Sequence, residues 1–212
     1  VKPKQVVDTF APLGVAAMAG ATAVLPSLAR HAAAGDLRAL RTTYEHALRL
    51  VSFATIPAAV GLVLLGDPIV RLLFARGEFS AADARLTVQA VSYYALGLWA
   101  FAAVRIVVAA FFALQDSTTP VRAALAALAA NLLLGVMLMG PLAHGGMALA
   151  TSLAAALNLA LLLAALRRKL GGLDGRGIAL SLARSLLCAG LMAPAVWGVA
   201  RATLHGPGQG TA

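Results

Sequence analysis

The sequence predicts an all-α protein, a polytopic bundle of transmembrane helices with about six spans. Three observations carry that expectation. Of 212 residues, 61% are hydrophobic and only 12% charged, with a mean hydropathy of +0.87, which is far from the composition of a soluble globular domain. Six apolar runs recur, at about 10–28, 47–65, 88–114, 121–139, 147–166 and 178–204, each near the roughly 20 residues that a helix needs to cross a hydrocarbon core. The 17 Lys and Arg, set against 8 Asp and Glu, fall mostly between those runs. The whole chain, 1–212, therefore reads as one transmembrane helical domain.

In order, the first run ends near Pro26 and is followed by the polar, basic stretch RHAAAGDLRALRTTYEHALR. The second run contains Pro57. The stretch after it, DPIVRLLFARGEFSAADAR, mixes apolar residues with Asp67, Arg71, Arg76, Glu78, Asp83 and Arg85, and predicts a short interfacial helix plus a turn. The third run is interrupted by Gln89, Ser92, Tyr93, Tyr94 and Arg105 and stops at Gln115-Asp116-Ser117-Thr118-Thr119-Pro120. That hexapeptide predicts a tight turn between two spans. Its side chains can satisfy the loose backbone groups at the helix ends, and Pro120 is expected as the first residue of the next helix, where a missing N–H costs little. GPLAHGG joins the fourth and fifth runs. RRKLGGLDGRG joins the fifth and sixth, and its Arg167, Arg168, Lys169 and Arg176 make the densest basic loop. Pro57 and Pro194, inside the second and sixth runs, read either as hinges or as ordinary kinks.

The connections alternate in charge, and the side richer in Lys and Arg normally faces the cytoplasm. Connections one, three and five carry Arg30, Arg38, Arg41, Arg122 and the four basic residues just named, whereas connection four carries no Lys or Arg. The odd connections are thus expected on the cytoplasmic side and both termini on the outer side. Arg71, Arg76 and Arg85 in connection two run against the bias, but three acidic neighbours accompany them.

Three residues inside the runs are candidates for function. Arg105 lies about nine residues before the turn, which at about 1.5 Å per residue puts it roughly 14 Å into the membrane. A cation there is expensive. It reads either as lining a water-filled cavity or as snorkelling to a headgroup or carbonyl. Ala123, Ala127, Asn131 and Gly135 form a stripe at fourfold spacing, and Gly146, Ala150, Ala154 and Asn158 form a second. Small residues let helices approach closely, and an amide in lipid wants a partner. Asn131 and Asn158 therefore read either as helix–helix contacts or as groups facing a transport pathway.

Other classes of function find no support. HExxH, phosphate-binding glycine loops and G-x-S-x-G are absent, the four histidines have no ligand spacing, and the acidic residues avoid the span centres, so no catalysis, metal or cofactor is expected. The basic residues are not clustered on a soluble surface, so nucleic acid is not an expected partner. Cys188, the single cysteine, sits in an apolar run and reads as packing. Asp67, Glu78 and Asp83 read as surface ion-pair partners. The opening VKPKQVVDTF has neither an initiating Met nor the layout of a signal peptide, and reads as mid-chain sequence or a lost start.

Leu73-Phe74-x-Arg76-Gly77-x-Phe79, followed by Gln115-Asp116-x-x-Thr119-Pro120, resembles the MurJ/MviN family of lipid II flippases in the multidrug, oligosaccharidyl-lipid and polysaccharide exporter superfamily. VLPSLAR, YALGLWAF, the arginine-bearing helix and GPLAHGGMALATSLAAALN extend the likeness over essentially the whole chain. The resemblance implies about fourteen spans in two pseudo-symmetric bundles, of which this chain looks like the eighth to thirteenth, a partial second bundle of a two-bundle exporter fold. An N-terminal bundle is then expected in the full-length protein. The resemblance further implies a multi-pass protein of the bacterial inner (cytoplasmic) membrane. Its partners would be membrane lipids and an undecaprenyl-linked lipid substrate, lipid II, moved across by alternating access, with cavity arginines meeting the pyrophosphate. Export of another polyprenyl-linked saccharide or of drugs, or a non-transporting membrane remnant or scaffold, are the alternatives. The family usually carries an arginine and an acidic residue at the start of the eighth span. Here Val7 and Val6 stand in those places, Asp8 is out of register, and Pro12 and Gly14 fit. That departure and the absent first bundle lead to the expectation of a fragment or truncated gene product.

Overall fold

The structure is a computed structural model that describes residues 24–74, 80–171 and 175–204. These residues form helices, with no strand among them: α1 at 24–33, α2 at Leu37–Phe74, α3 at Ala81–Ala113, α4 at Thr118–Lys169 and α5 at Gly175–Leu204. Five stretches are long and apolar enough to cross a membrane: Leu37–Phe74, Ala82–Ala113, Thr118–Gly140, Gly145–Lys169 and Gly177–Gly198. Most of the expected first span, 10–28, lies outside the described residues, as do Val6, Val7 and Asp8.

Two expectations about α2 need correction. The basic connection before it is partly helical, because Asp36 Oδ1 accepts the Ala39 amide at 2.9 Å and starts the helix ten residues before the apolar run. Leu40, Tyr44, Leu48, Ser52 and Ile56 then put a buried residue on one face every turn. At the other end, the expected interfacial helix is simply the last turns of α2. Helical structure continues past Pro68 to Phe74, since Gly66 and Val70 prolong the buried stripe while Arg71 Nε bonds Asp67 Oδ1 on the exposed face at 2.9 Å. Arg76, Gly77, Glu78 and Phe79 lie outside the described residues. Asp83 joins Ser80 in a capping box at the start of α3, with Asp83 N to Ser80 Oγ 3.2 Å and Ser80 N to Asp83 Oδ2 3.1 Å.

The fourth and fifth spans form a hairpin within α4, even though the helical run is unbroken. A Cβ at Gly146 would collide with the carbonyl of Leu138. In a straight helix those two residues would stand about 12 Å apart, so the chain doubles back between Gly140 and Gly145.

α3 is the centre of the bundle. It packs against α2 on one side and α4 on the other, and α5 packs against α2. Trp99 Nε1 donates to Ser52 Oγ at 2.8 Å and Ser152 Oγ donates to the Tyr93 carbonyl at 2.7 Å, so each neighbour is tied to α3 by a part-buried polar contact. Gly97 permits the second: a Cβ there would lie 2.6 Å from Ser152 Oγ and 2.9 Å from Phe101. One apolar cluster joins Leu28, Leu40 and Tyr44 to Phe111, Ala113, Leu162 and Leu166 at one end of the bundle. At the opposite end Gly66 approaches Val88, and Gly145 approaches Tyr93 and Gln89. Leu132, Leu133, Val136 and Met137 face outward on the first arm of α4, an apolar exterior suited to lipid.

Candidate functional site

The turn between α3 and α4 sets the heights of the residues around it. Leu114 caps α3, and Gln115 takes the left-handed conformation, φ 56°. The Gln115 amide donates to the Phe112 carbonyl and the Asp116 amide to the Phe111 carbonyl, both at 3.0 Å, a complete Schellman closure. Asp116 then caps α4, its Oδ1 accepting the Thr118 and Thr119 amides at 3.1 and 3.0 Å and its Oδ2 the Thr119 hydroxyl at 2.6 Å. Pro120 is buried as the third helical residue, not the first as expected. The position still belongs to the first turn, whose amides have no intrahelical partner. Gly35 and Asp36 repeat the device between α1 and α2, with φ 68° at Gly35 and the same pair of amide-to-carbonyl bonds to Ala32 and His31.

Lys169 Nζ lies 2.5 Å from Asp116 Oδ2, which holds the Asp116 carboxyl well below the usual carboxylate range, with the Thr119 bonds adding to the effect. The ion pair brings connections three and five to the same end of the bundle. Connection one joins them there through the Leu28, Leu40 and Tyr44 cluster. The basic connections thus lie at one end of the bundle.

Above this turn, α3 and the two arms of α4 line an open cavity of about 500 Å³. Arg105, Asn131 and Asn158 all line it. Their sequence distances from the turn or from Lys169 correspond to about 14, 20 and 16 Å of helix, so they meet near one level. The two small-residue stripes face each other across the hairpin, with Ala123, Ala127, Ala150 and Ala154 buried. Arg105 is exposed and makes no hydrogen bond or ion pair with a described residue. Asn158 Oδ1 is buried without a partner. An exposed guanidinium and an unmatched amide oxygen therefore line one largely apolar, open cavity, an arrangement that can receive a phosphate-bearing ligand.

Among the other residues that line the cavity, an aromatic ring and a hydroxyl were not singled out from the sequence. Phe101 lies one turn before Arg105, and Thr151, two turns before Asn158, already donates to the Met147 carbonyl at 2.9 Å. Helical spacing from the chosen residues was the available signal. Of the motif residues, Gln115, Asp116, Thr119 and Pro120 come together in the turn, Phe74 ends α2 with its ring half exposed, and Arg76, Gly77 and Phe79 fall outside the described residues. Cys188 is exposed, where burial by packing was expected. Among the described residues no cluster of His, Cys, Asp and Glu is arranged for a metal ion.

The sequence profile described as "Lipid II flippase MurJ" matches residues 9–209. The "Probable lipid II flippase MurJ" of Rhizobium meliloti (strain 1021) is 37% identical over 188 residues, 88% of this chain and 35% of the relative. That of Vibrio cholerae serotype O1 is 34% identical over 151 residues, 71% and 29% of the two chains. A solved structure, "Lipid II flippase MurJ, inward closed conformation", superposes with a TM-score of 0.69 at 22% identity, covering 93% of this chain and 45% of that one, a likeness of fold. The chain spans about a third of the length of the curated relatives it matches. With a family profile aligned to nearly every residue and a relative above the 30% level over most of the chain, this protein belongs to the lipid II flippase MurJ family.

Proposed function

We propose that this chain contributes part of the second bundle of a lipid II flippase in the bacterial inner membrane, and that the cavity between α3 and α4 forms part of the substrate path. The convergence of Arg105, Asn131 and Asn158 on one chamber at membrane depth is the observation that carries this reading. Arg105 would meet the pyrophosphate of the undecaprenyl-linked precursor, because its planar donors match phosphate oxygens and it has no competing partner among the described residues. Asn158 Oδ1 would accept from a sugar hydroxyl or from water carried with the headgroup. Alternating access in the assembled protein would expose the chamber to each side in turn, with the basic connections facing the cytoplasm.

The test is Arg105→Gln at this position in a full-length relative, expressed in a flippase-depleted strain. Weaker growth, with lipid II accumulating, is the expected result. Unchanged growth at equal expression rejects the role of Arg105, and accumulation of a different polyprenyl-linked saccharide points to another cargo.

A further inference from the structure

Away from the Arg105 cavity, three cavities adjoin one another through shared lining residues. The first, about 580 Å³, is lined by Ala164, Arg167, Arg168 and Gly171 at the end of α4. It shares Ala164 and Arg167 with a second of about 370 Å³, which reaches in between Leu48, Trp99 and Leu182. Trp99 and Leu182 also wall the third, about 500 Å³, which extends past Ile56, Val60 and Leu186. Taken in succession they trace a groove, cationic at its mouth and apolar along its length.

Its chemistry is that of a lipid site. Arg167 and Arg168 are exposed and neither bonds a described residue, whereas the adjacent Lys169 is engaged by Asp116. Two guanidiniums without a partner among the described residues suit phosphate oxygens at the mouth. Deeper in, the indole N–H of Trp99 is already given to Ser52 Oγ, so this wall leaves hydrocarbon as the matching solvent. From Leu48 to Leu64 the groove follows about 24 Å of α2, and from Ile178 to Leu186 about 12 Å of α5. One leaflet of a roughly 30 Å core is about 15 Å deep, so acyl chains of one leaflet fit within it. Of α2, α3 and α4, α5 packs closely against α2 alone, and the groove lies between it and the other two.

We propose that an anionic phospholipid from the leaflet at the basic end of the bundle occupies this groove. Its phosphate rests on Arg167 and Arg168, and its acyl chains fill the gap beside Trp99, Leu182 and Leu186. The lipid then couples α5 to the end of α4, where the protein supplies little direct contact. A basic pocket between helices on the cytoplasmic side is the kind of surface that retains such headgroups. This inference is independent of the transport reading.

The test is native mass spectrometry of the purified chain, released from detergent with phosphatidylglycerol or phosphatidylcholine of identical acyl chains. Wild type should retain phosphatidylglycerol preferentially, by roughly fivefold for each arginine engaged. Arg167→Gln with Arg168→Gln should abolish the preference, Arg167→Lys with Arg168→Lys should keep most of it, and Arg122→Gln, at the next connection, should leave it unchanged. Leu186→Trp, which fills the groove, should lower retention of both lipids. Equal retention of the two lipids by wild type, or selectivity that survives the double glutamine variant, overturns the proposal. Displacement of phosphatidylglycerol by equimolar undecaprenyl phosphate also overturns it, by assigning the groove to a polyprenyl lipid instead.

Discussion

Asp116 precedes α4 and Lys169 ends it, yet their side chains meet at 2.5 Å. The pair closes the α4 hairpin at its open end, with Lys169 Nζ also 6.0 Å from the centre of the Phe111 ring. Because both arms start from one ion pair, Asn131 on the outgoing arm and Asn158 on the returning arm reach Arg105 at similar heights. Asp116 thereby does two jobs, capping the outgoing arm and holding the end of the returning one.

Asp116→Asn is expected to lower thermal stability at neutral pH, and the pH dependence identifies the cause. The folded carboxyl titrates below its unfolded value of about 3.9, so its contribution is complete above that value. It is lost as pH falls from there toward the depressed folded value. Melting curves of wild type and variant in detergent should therefore differ by a constant amount from about pH 5 to pH 8 and converge in stronger acid. A difference that persists unchanged into acid would show that the carboxylate charge is not responsible.

Gln115 holds a left-handed conformation that an L residue with a Cβ adopts at a cost of about 1 kcal/mol. Gln115→Gly should therefore be neutral or stabilising by up to about 1 kcal/mol. Gln115→Val, branched at Cβ, should destabilise by more than that. Equilibrium denaturation of the two variants reads the sign directly.

Gly97→Ala pits helix propensity against packing. Alanine favours the helix by about 1 kcal/mol, but its methyl would stand 2.6 Å from Ser152 Oγ and 2.8 Å from Ser152 Cβ. Overpacking is expected to win, with a net loss of about 1–3 kcal/mol. Ser152→Gly removes the obstructing atoms, so the double variant should recover part of the loss, a coupling that a double-mutant cycle measures.

Asn158→Leu should leave stability unchanged or raise it, because it removes a buried acceptor whose missing partner costs about 1–3 kcal/mol. In a full-length relative the same change is expected to impair complementation. A variant that melts no lower yet complements less well places the amide in the transport path. Loss of stability together with function would return Asn158 to helix–helix packing.

The sequence alone determined the class of fold and much of the local chemistry. In lipid, apolar runs near 20 residues long have to be helical, since no water is present to satisfy a backbone left open. The turn at Gln115–Pro120 was legible for a similar reason, because its bonds link residues within a few positions of one another. The length of α2 was less legible: Asp36 and the Leu40–Tyr44 spacing announced an early start, but polarity concealed it. Only the tertiary structure decided which faces meet. α3 is apolar all round, so no periodicity distinguished the side bearing Trp99 from the side bearing Arg105. Interior and lipid are about equally hydrophobic, and the helices are matched instead by Gly97, by the alanine stripes and by a few polar contacts between distant residues. The hairpin within α4, the meeting of Arg105 with Asn131 and Asn158, and the groove running from Arg167 to Leu186 all depend on those contacts.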